Sequence, residues 1–154
     1  MALALSVLLM PLAAPSPAYA GDASRPIYGH RLQHYIVKQC VRWHLDAAAV
    51  LSVACVEGGF GGAVGDGGEA FGPWQLRRGG ALPACIHNPR RWANSPNGVR
   101  YAVRGLARVA RHLRGSAAVV AIVRRFERPS RPSLEIQRAM SYYLAMKRLA
   151  KRLT

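Results

Sequence analysis

The sequence predicts an all-α or nearly all-α fold: a helical bundle around one buried central helix, with minimal or no sheet. Apolar residues recur at helical spacing in several stretches that are separated by short turn-forming segments. Ten of the 15 glycines fall between Gly58 and Gly80, where no helical period can be sustained. That segment is therefore predicted to be a loop or a short hairpin. We expect five or six helices and no internal repeat.

The first twenty residues are predicted to be a signal peptide. They hold an apolar stretch of roughly ten residues, a proline-rich break, and the small-x-small sequence Ala18-Tyr19-Ala20. The apolar stretch is well short of the roughly 20 residues that span a bilayer. A short membrane anchor or a misassigned start is the alternative, because the usual positive n-region is missing. We expect a periplasmic or secreted protein with no transmembrane segment after cleavage, an irregular leader over 21–30 and one domain over 31–154.

The central helix of the core is predicted to be the second of the chain. A first helix is expected over 31–45, and the next over 47–57, with Asp46 placed as its N-cap. This second helix is apolar on every side, which in a globular domain requires other elements all around it.

Three further helices are predicted after the glycine-rich segment and a loop over 83–92. Ser95-Pro96 gives an N-cap followed by proline at the first helical position. Ser116 is expected to cap the next helix, the loop 127–132 to end it, and Ser133 to open the last one. The helix after Ser95 carries an apolar stripe and a basic stripe. The apolar positions are Val99, Val103, Leu106, Ala110 and Leu113, and the basic ones are Arg100, Arg104, Arg108 and Arg111.

The three cysteines leave two alternatives open. Export would place Cys40, Cys55 and Cys85 in an oxidising compartment, where one bridge of unknown pairing and one leftover thiol are possible. Three free thiols that act as small hydrophobes are the other alternative. Their spacing matches no zinc site, so no metal is predicted.

The charge balance predicts binding to polyanions. The chain has 22 Lys+Arg against 7 Asp+Glu, a formal net charge of +15. We expect it to adhere to anionic envelope polymers, and non-specifically to nucleic acid, with an affinity that falls as salt rises. No nucleic-acid recognition motif is visible.

Glu57 is the strongest candidate for a catalytic acid. At the end of a buried apolar helix, desolvation and the negative helix end both disfavour its charged form and are predicted to raise its pKa. Such an acid can protonate a departing sugar oxygen, and the glycines behind it let a polymer approach. A helix-end glutamate that faces water is the alternative. Four other carboxylates have structural explanations: Asp22, Asp46, Glu127 and Glu135.

Residues His44 to Leu76 resemble the core motif of the lysozyme-like superfamily, in particular lytic transglycosylases, goose-type lysozymes and phage-tail lysozymes. In those families a helix ends in Glu, an aromatic follows three residues on, and a Gly-rich stretch leads to Gly-x-x-Gln. Here these features are Glu57, Phe60, residues 63–68 and Gly72-Pro73-Trp74-Gln75. Residues 126–143 are similar to the Phe-Glu-x-Pro element of phage-tail lysozymes and the helix after it.

The resemblance implies that the chain cleaves the MurNAc-GlcNAc β-1,4 bond of peptidoglycan glycan strands. Glu57 matches the catalytic acid, and the transglycosylase reaction gives 1,6-anhydro-muramyl products without metal or cofactor. Phe60, Gly72, Trp74 and Gln75 match the motif positions that shape or line the sugar groove. Phe60 and Trp74 would otherwise be core aromatics.

Two departures from the family pattern are visible. Gly58 stands where lytic transglycosylases usually carry Ser. The tyrosine that often supports the acid has no clear match, and the candidates are Tyr101, Tyr142 and Tyr143.

A second carboxylate would decide the reaction. An inverting muramidase needs a base across the sugar from the acid, and Asp66 is the candidate, with Glu69 a poorer one. The alternative for Asp66 is that it only forms the turn Gly65-Asp66-Gly67. An inactive basic module that binds wall or nucleic acid is the remaining alternative, and we expect a monomer.

Overall fold

The computed structural model describes residues 25–126 and 132–154, with the backbone alone at Asp66, Phe126 and Pro132. In these ranges the chain is mostly helical and has one small antiparallel sheet, so the predicted fold class is confirmed. The predicted signal peptide and the loop 127–131 lie outside the described residues, as do Asp22 and Glu127.

The described chain forms six helices and three two-residue strands. The helices are α1 Gly29–Arg42, α2 Ala47–Glu57, α3 Pro89–Ala93, α4 Pro96–Ala110, α5 Gly115–Phe126 and α6 Pro132–Leu153. The strands are β1 Val64–Gly65, β2 Ala70–Phe71 and β3 Leu76–Arg77, paired antiparallel in the order β1-β2-β3. Val64 pairs with Phe71, and Phe71 with Leu76. A 3₁₀ turn, Asp66–Gly68, joins β1 to β2.

Helix α2 is the centre of the core, as its sequence predicts. Every residue from Ala48 to Ala54 is buried. Helices α1, α5 and α6 pack against it, and α6 makes the most extensive contact. An apolar helix that is covered on all sides contributes its whole surface to the hydrophobic effect, so α2 needs no polar face.

Asp46 joins three helices at the start of α2. Its Oδ1 accepts the N–H groups of Ala48 (3.0 Å) and Ala49 (3.2 Å), which confirms the predicted N-cap. Its Oδ2 accepts the N–H of Gly115 (2.8 Å), the first residue of α5, and the hydroxyl of Tyr143 (2.7 Å) on α6. The carboxyl is only 9% exposed. Four hydrogen bonds thus compensate for its desolvation.

These contacts set the directions of the helices. Helix α5 begins beside the start of α2 and packs along it, so the two run in the same general direction. Helix α4 runs the opposite way, because the N–H of His112, just past its end, donates to the carbonyl of His44 (3.0 Å), just before α2. Glu57 therefore lies at the end of the bundle where α4 begins.

The structure corrects the predicted boundaries of three elements. Helix α1 covers 29–42, because the chain turns at His44 with φ of 55°. The loop predicted over 83–92 contains α3, where the Asn88 side chain accepts the N–H of Arg91 (3.1 Å) and Pro89 occupies the first turn. The prediction of Ser116 as a cap is wrong, since α5 already begins at Gly115.

Helix α4 starts as predicted and ends early. The Ser95 hydroxyl accepts the N–H of Gly98 at 3.3 Å, as expected of an N-cap before Pro96. The helix ends at Ala110, so the placement of Leu113 on its buried stripe is wrong, and that side chain is 36% exposed. The other four apolar positions are buried. The last helix, α6, begins at Pro132, one residue before Ser133.

All three cysteines are free thiols in the structure, which matches the second of the two alternatives. Cys40 is buried in α1, and burial, with the nearby charge of Asp46, raises its pKa. Cys55 is half-buried, with its Sγ 3.8 Å from the Sδ of Met146, while Cys85 is exposed. No helix within the two described ranges has both the length and the hydropathy needed to cross a membrane.

Replacing Asp46 with alanine is expected to destabilise the fold by about 3 kcal/mol, because it removes a helix cap and leaves two further donors without an acceptor. Urea unfolding at neutral pH measures this loss. Ser95→Ala, which removes the cap of α4, serves as the matched control and should cost about 1 kcal/mol. A loss no larger in the Asp46 variant than in the control would show that the bonds to α5 and α6 add nothing.

The Tyr143–Asp46 hydrogen bond is expected to make stability fall in alkali. Burial, then the bond to Asp46 and its charge, raise the pKa of Tyr143 from 10.0 to about 12. A raised pKa means that the folded state disfavours the phenolate, so the contribution is complete below about pH 10 and is lost as pH rises towards about 12.

Urea midpoints between about pH 8 and about pH 12 would follow this loss. Tyr143→Phe should lower stability at neutral pH and flatten the alkaline decline relative to wild type. Parallel pH curves for the two proteins would contradict the proposed titration.

Candidate functional site

Glu57 is the last residue of α2 and is half-buried. The N–H groups of Gly58 (3.2 Å) and Gly59 (2.7 Å) both donate to the carbonyl of Ala54. Gly59 has φ of 63°, a conformation that side-chain-bearing residues rarely adopt. The chain therefore leaves the helix axis immediately behind the carboxyl, as the two glycines predict.

The backbone at Gly58 packs directly against the Gly-x-x-Gln segment. A Cβ at Gly58 would overlap the carbonyl oxygen of Gly72 and would lie 2.8 Å from Nε2 of Gln75. No side chain fits at this position without moving the backbone of Gly72. The close contact gives a physical reason for glycine in place of the serine that the resemblance would predict.

Gln75 fills the space between two glycines. Its φ is 46°, its Nε2 donates to the carbonyl of Gly72 (3.1 Å), and its backbone N–H donates to the same oxygen (3.1 Å). On the other side its Oε1 lies against Gly65, where a Cβ would overlap it. The amide thus links the segment after α2 to the end of β1.

Gly72 connects this cluster to α3. Its φ is 77°, and a Cβ at this position would lie 2.8 Å from the Cβ of Ala93. Its N–H donates to the carbonyl of Ala63 (3.2 Å). The two halves of the sequence motif, Glu57-Gly58 and Gly72–Gln75, are therefore adjacent in space.

The two candidate aromatics differ in exposure. Trp74 is 1% exposed, and its Nε1 donates to the carbonyl of Val50 in α2 (3.4 Å), so it is a core aromatic, the alternative left open by the sequence. Phe60 is half-buried against the core, and its carbonyl accepts the N–H of Gly29 (2.8 Å). Because it is buried, Trp74 can influence the shape of a groove only by supporting it from within the core.

Asp66 has the turn geometry expected of an Asp-Gly sequence. It opens the 3₁₀ turn, in which Gly67 has φ of 64°, and the N–H of Glu69 donates to the carbonyl of Gly65 (3.1 Å). The side chain of Asp66 lies outside what the structure describes. Glu69 is exposed and pairs with Arg78 across the hairpin at 3.9 Å, a surface ion pair of small energetic value.

Of the three candidate tyrosines, Tyr143 lies beside the start of α2, the end opposite Glu57. It binds Asp46, and an 11-residue helix separates Asp46 from Glu57 by about 16 Å. Tyr142 is 48% exposed on α6. Tyr101 lies in the first half of α4 and packs on Trp92, with ring centroids 5.4 Å apart, and burial is the main cause that raises its pKa. Because α4 begins at the Glu57 end of the bundle, Tyr101 is the one of the three tyrosines that remains a candidate to support the acid.

Tyr28 is a site residue that the sequence reasoning missed. Its ring covers Gly62, where a Cβ would lie 2.7 Å from Cε1, and it is 45% exposed. The sequence places it in an irregular leader. An aromatic directly before a helix is the only signal that distinguishes it there.

No family model, curated protein or solved structure matches this chain. The assignment of the candidate site is therefore supported by the geometry of this structure alone. Among residues 25–126 and 132–154, no three His, Cys, Asp or Glu side chains are grouped as metal ligands would be.

The arrangement places one candidate acid directly before a cluster of close-packed glycines and a glutamine amide. Glu57 is half-buried, and the next residue, Gly58, packs against Gly72 and against the amide of Gln75, which donates to the Gly72 carbonyl. Two aromatic residues lie nearby in the chain or the fold: the ring of Tyr28 covers Gly62, and Phe60 is half-buried three residues after Glu57. Such a surface offers stacking faces and hydrogen-bonding groups to sugars.

A side chain at position 58 is expected to push the backbone of Gly58 away from that of Gly72. Gly58→Ala should destabilise the protein by about 1–3 kcal/mol, because the new methyl group overlaps the Gly72 carbonyl. Thermal or urea unfolding measures this change. Gly61→Ala is the matched control, since a methyl group there would meet no atom within 4 Å and the φ of Gly61 is not positive. Equal stability of the two variants would refute the close packing.

Proposed function

We propose that this chain is an exported peptidoglycan-cleaving enzyme of the lytic transglycosylase type, with Glu57 as its general acid and base. This is the reaction that the resemblance to lytic transglycosylases implies. One observation carries it: the residue after Glu57 packs against Gly72 and Gln75, so the separate parts of the resembled motif form one cluster.

The position of Glu57 supports its role as the acid. It ends a helix that is buried from Ala48 to Ala54, and the chain turns away behind it at two glycines. Glu57 is thus half-buried at the point where the apolar helix ends and the glycine-rich segment begins. A general acid needs this combination, since it must hold a proton and still reach the scissile oxygen.

The proposed reaction requires only one carboxyl. Glu57 donates its proton to the glycosidic oxygen as the bond from that oxygen to C1 of MurNAc breaks. The 6-hydroxyl of the same sugar then attacks C1 and returns its proton to Glu57. A 1,6-anhydro ring forms, the enzyme recovers its starting protonation state, and no water is consumed.

Tyr28, Phe60 and Gln75 are the residues that we assign to sugar binding, and Gly72 shapes the groove through its backbone. The ring of Tyr28 is the most exposed of the aromatic faces beside the cluster. Rings of this kind stack on the apolar faces of sugars and add polar contacts at their edges.

A hydrolase that uses Asp66 as base is the second candidate. The observation that favours it is the backbone path: Asp66 directly follows Gly65, and Gly65 lies against the amide of Gln75. The turn therefore brings the backbone of Asp66 to the cluster that contains Gly58. In that reaction a water attacks C1 from the face opposite Glu57.

Glu57→Gln is expected to lower the rate at which residues 21–154 clear a suspension of cell walls by about 10²–10⁴-fold. The amide has the same shape but cannot donate the proton. Unfolding curves that match wild type would show that the fold is intact. A variant with full clearing activity would refute the assignment of the acid.

The products separate the two candidate reactions. The transglycosylase gives muramyl ends that are lighter by one water than the reducing ends from hydrolysis, which mass spectrometry resolves. Asp66→Asn should leave clearing by the transglycosylase route intact and should abolish hydrolysis. Reducing ends in the wild type, together with an inactive Asp66→Asn, would establish the hydrolase instead.

A further inference from the structure

Helix α4 carries a stripe of arginines that the proposed reaction does not use. Arg100, Arg104 and Arg108 recur every four residues and so lie on one side of α4, and Arg111 directly follows the last residue of the helix, Ala110. We call this set the arginine stripe. Arg104, Arg108 and Arg111 are exposed, and Arg100 is half-buried with its guanidinium donating to Oδ1 of Asn97.

No described carboxylate neutralises the exposed part of the stripe. Among the described side chains, Arg78 pairs with Glu69 on the hairpin and Arg138 with Glu135 on α6. Three guanidinium groups on one helix face repel each other and gain free energy when an anion neutralises them.

The stripe runs away from the candidate site. At the start of α4, a Cβ on Gly98 would overlap the carbonyl of Trp92 in α3, and the next residue of α3, Ala93, packs against Gly72. The other end of α4 lies beside His44, at the start of α2. Arg100 is thus at the site end and Arg111 at the far end, about 16 Å along the helix.

Arg125, near the end of α5, is a further half-buried arginine on a helix that packs against α4. Burial raises the pKa of Tyr101, and the charges of Arg108 and Arg125 partly offset that rise, because both guanidinium groups lie near the phenol. Helices α4 and α5 pack together.

We propose that the arginine stripe binds the carboxylates of the peptides attached to the glycan strand, alongside the sugars held at Glu57. This inference rests on the proposed function. Arginine suits such a partner, because its planar fork makes two parallel hydrogen bonds to a carboxylate. A strand held along α4 would place several peptide carboxylates beside the stripe.

The residues around the stripe favour this partner over single-stranded nucleic acid. Proteins that bind single strands add exposed aromatic rings on which bases stack. The exposed large apolar side chains near the stripe are Val109 and Leu113, and the exposed aromatics of the described chain, Tyr28 and Tyr142, lie on other elements. Apart from the exposed imidazoles of His44 and His112 beside Arg111, which stack on each other, the stripe offers charge without exposed stacking faces.

The test is binding to cell-wall sacculi from which phosphate polymers have been removed with hydrofluoric acid. The protein carries Glu57→Gln, so that the sacculi stay intact, and its free fraction is measured after sedimentation. Replacing Arg104, Arg108 and Arg111 together by glutamine is expected to weaken binding about tenfold. Converting the peptide carboxylates to amides with carbodiimide should weaken binding of the parent protein similarly.

A second triple variant removes the same charge elsewhere. Lys147, Arg148 and Lys151 are exposed on α6, and replacing them by glutamine should change binding less than about twofold. Equal losses in the two triple variants would overturn the inference, because binding would then follow net charge alone. Unfolding curves verify that both variants remain folded.

Four further outcomes test the stripe and the proposed reaction separately. Undiminished binding to amidated sacculi would overturn the inference, as would a stripe variant that loses binding to a DNA duplex but not to sacculi. Cleavage is scored separately with Glu57 restored. Stripe-dependent binding without any cleavage would refute the proposed function and support the stripe, whereas cleavage with stripe-independent binding would do the reverse.

Discussion

The buried carboxylate of Asp46 is the interaction on which the arrangement of the helices depends. One oxygen caps the central helix, and the other holds the first residue of α5 and a tyrosine of α6. A buried charge with any of these donors missing would cost more than it stabilises. The need to satisfy it fully therefore restricts α2, α5 and α6 to positions in which all the donors reach the same side chain.

The packing of the candidate site depends instead on residues that have no side chain. Gly58, Gly65 and Gly72 let three backbone segments approach one another, and the amide of Gln75 fills the space that remains. The glutamine adopts a left-handed backbone at a cost in free energy, which its two bonds to the Gly72 carbonyl help to offset. The glycine-rich segment is thus an ordered wall of the site and not only a flexible connection.

The features that the sequence predicted correctly are those that depend on residues close together in the chain. The caps at Asp46 and Ser95 follow from short polar side chains that precede helical patterns, and the buried α2 follows from its uniform apolar composition. The start of α5 was missed because its cap acceptor lies 69 residues earlier in the chain, in Asp46. Helix α3 was missed because Asn88-Pro89, a sufficient start signal, precedes a helix of only five residues.

The sequence was less informative about the site than about the fold. Spacing alone does not say that Trp74 points into the core, since its Nε1 partner lies 24 residues away on α2. The place of Tyr28 over Gly62 likewise depends on where α1 packs. The adjacency of Gly58 to Gly72 is long-range too, and no local signal in the sequence predicts it.

The shared starting point of α2 and α5 has an electrostatic consequence at their other ends. Two helices that run in the same direction align their peptide dipoles, and the positive poles of both meet the negative carboxylate of Asp46. Their carbonyl-bearing negative poles accordingly lie towards the Glu57 end of the bundle. In the proposed cleavage the sugar passes through an oxocarbenium-like state with positive charge at C1. The bundle would therefore supply a fixed negative potential to that charge without a second carboxylate.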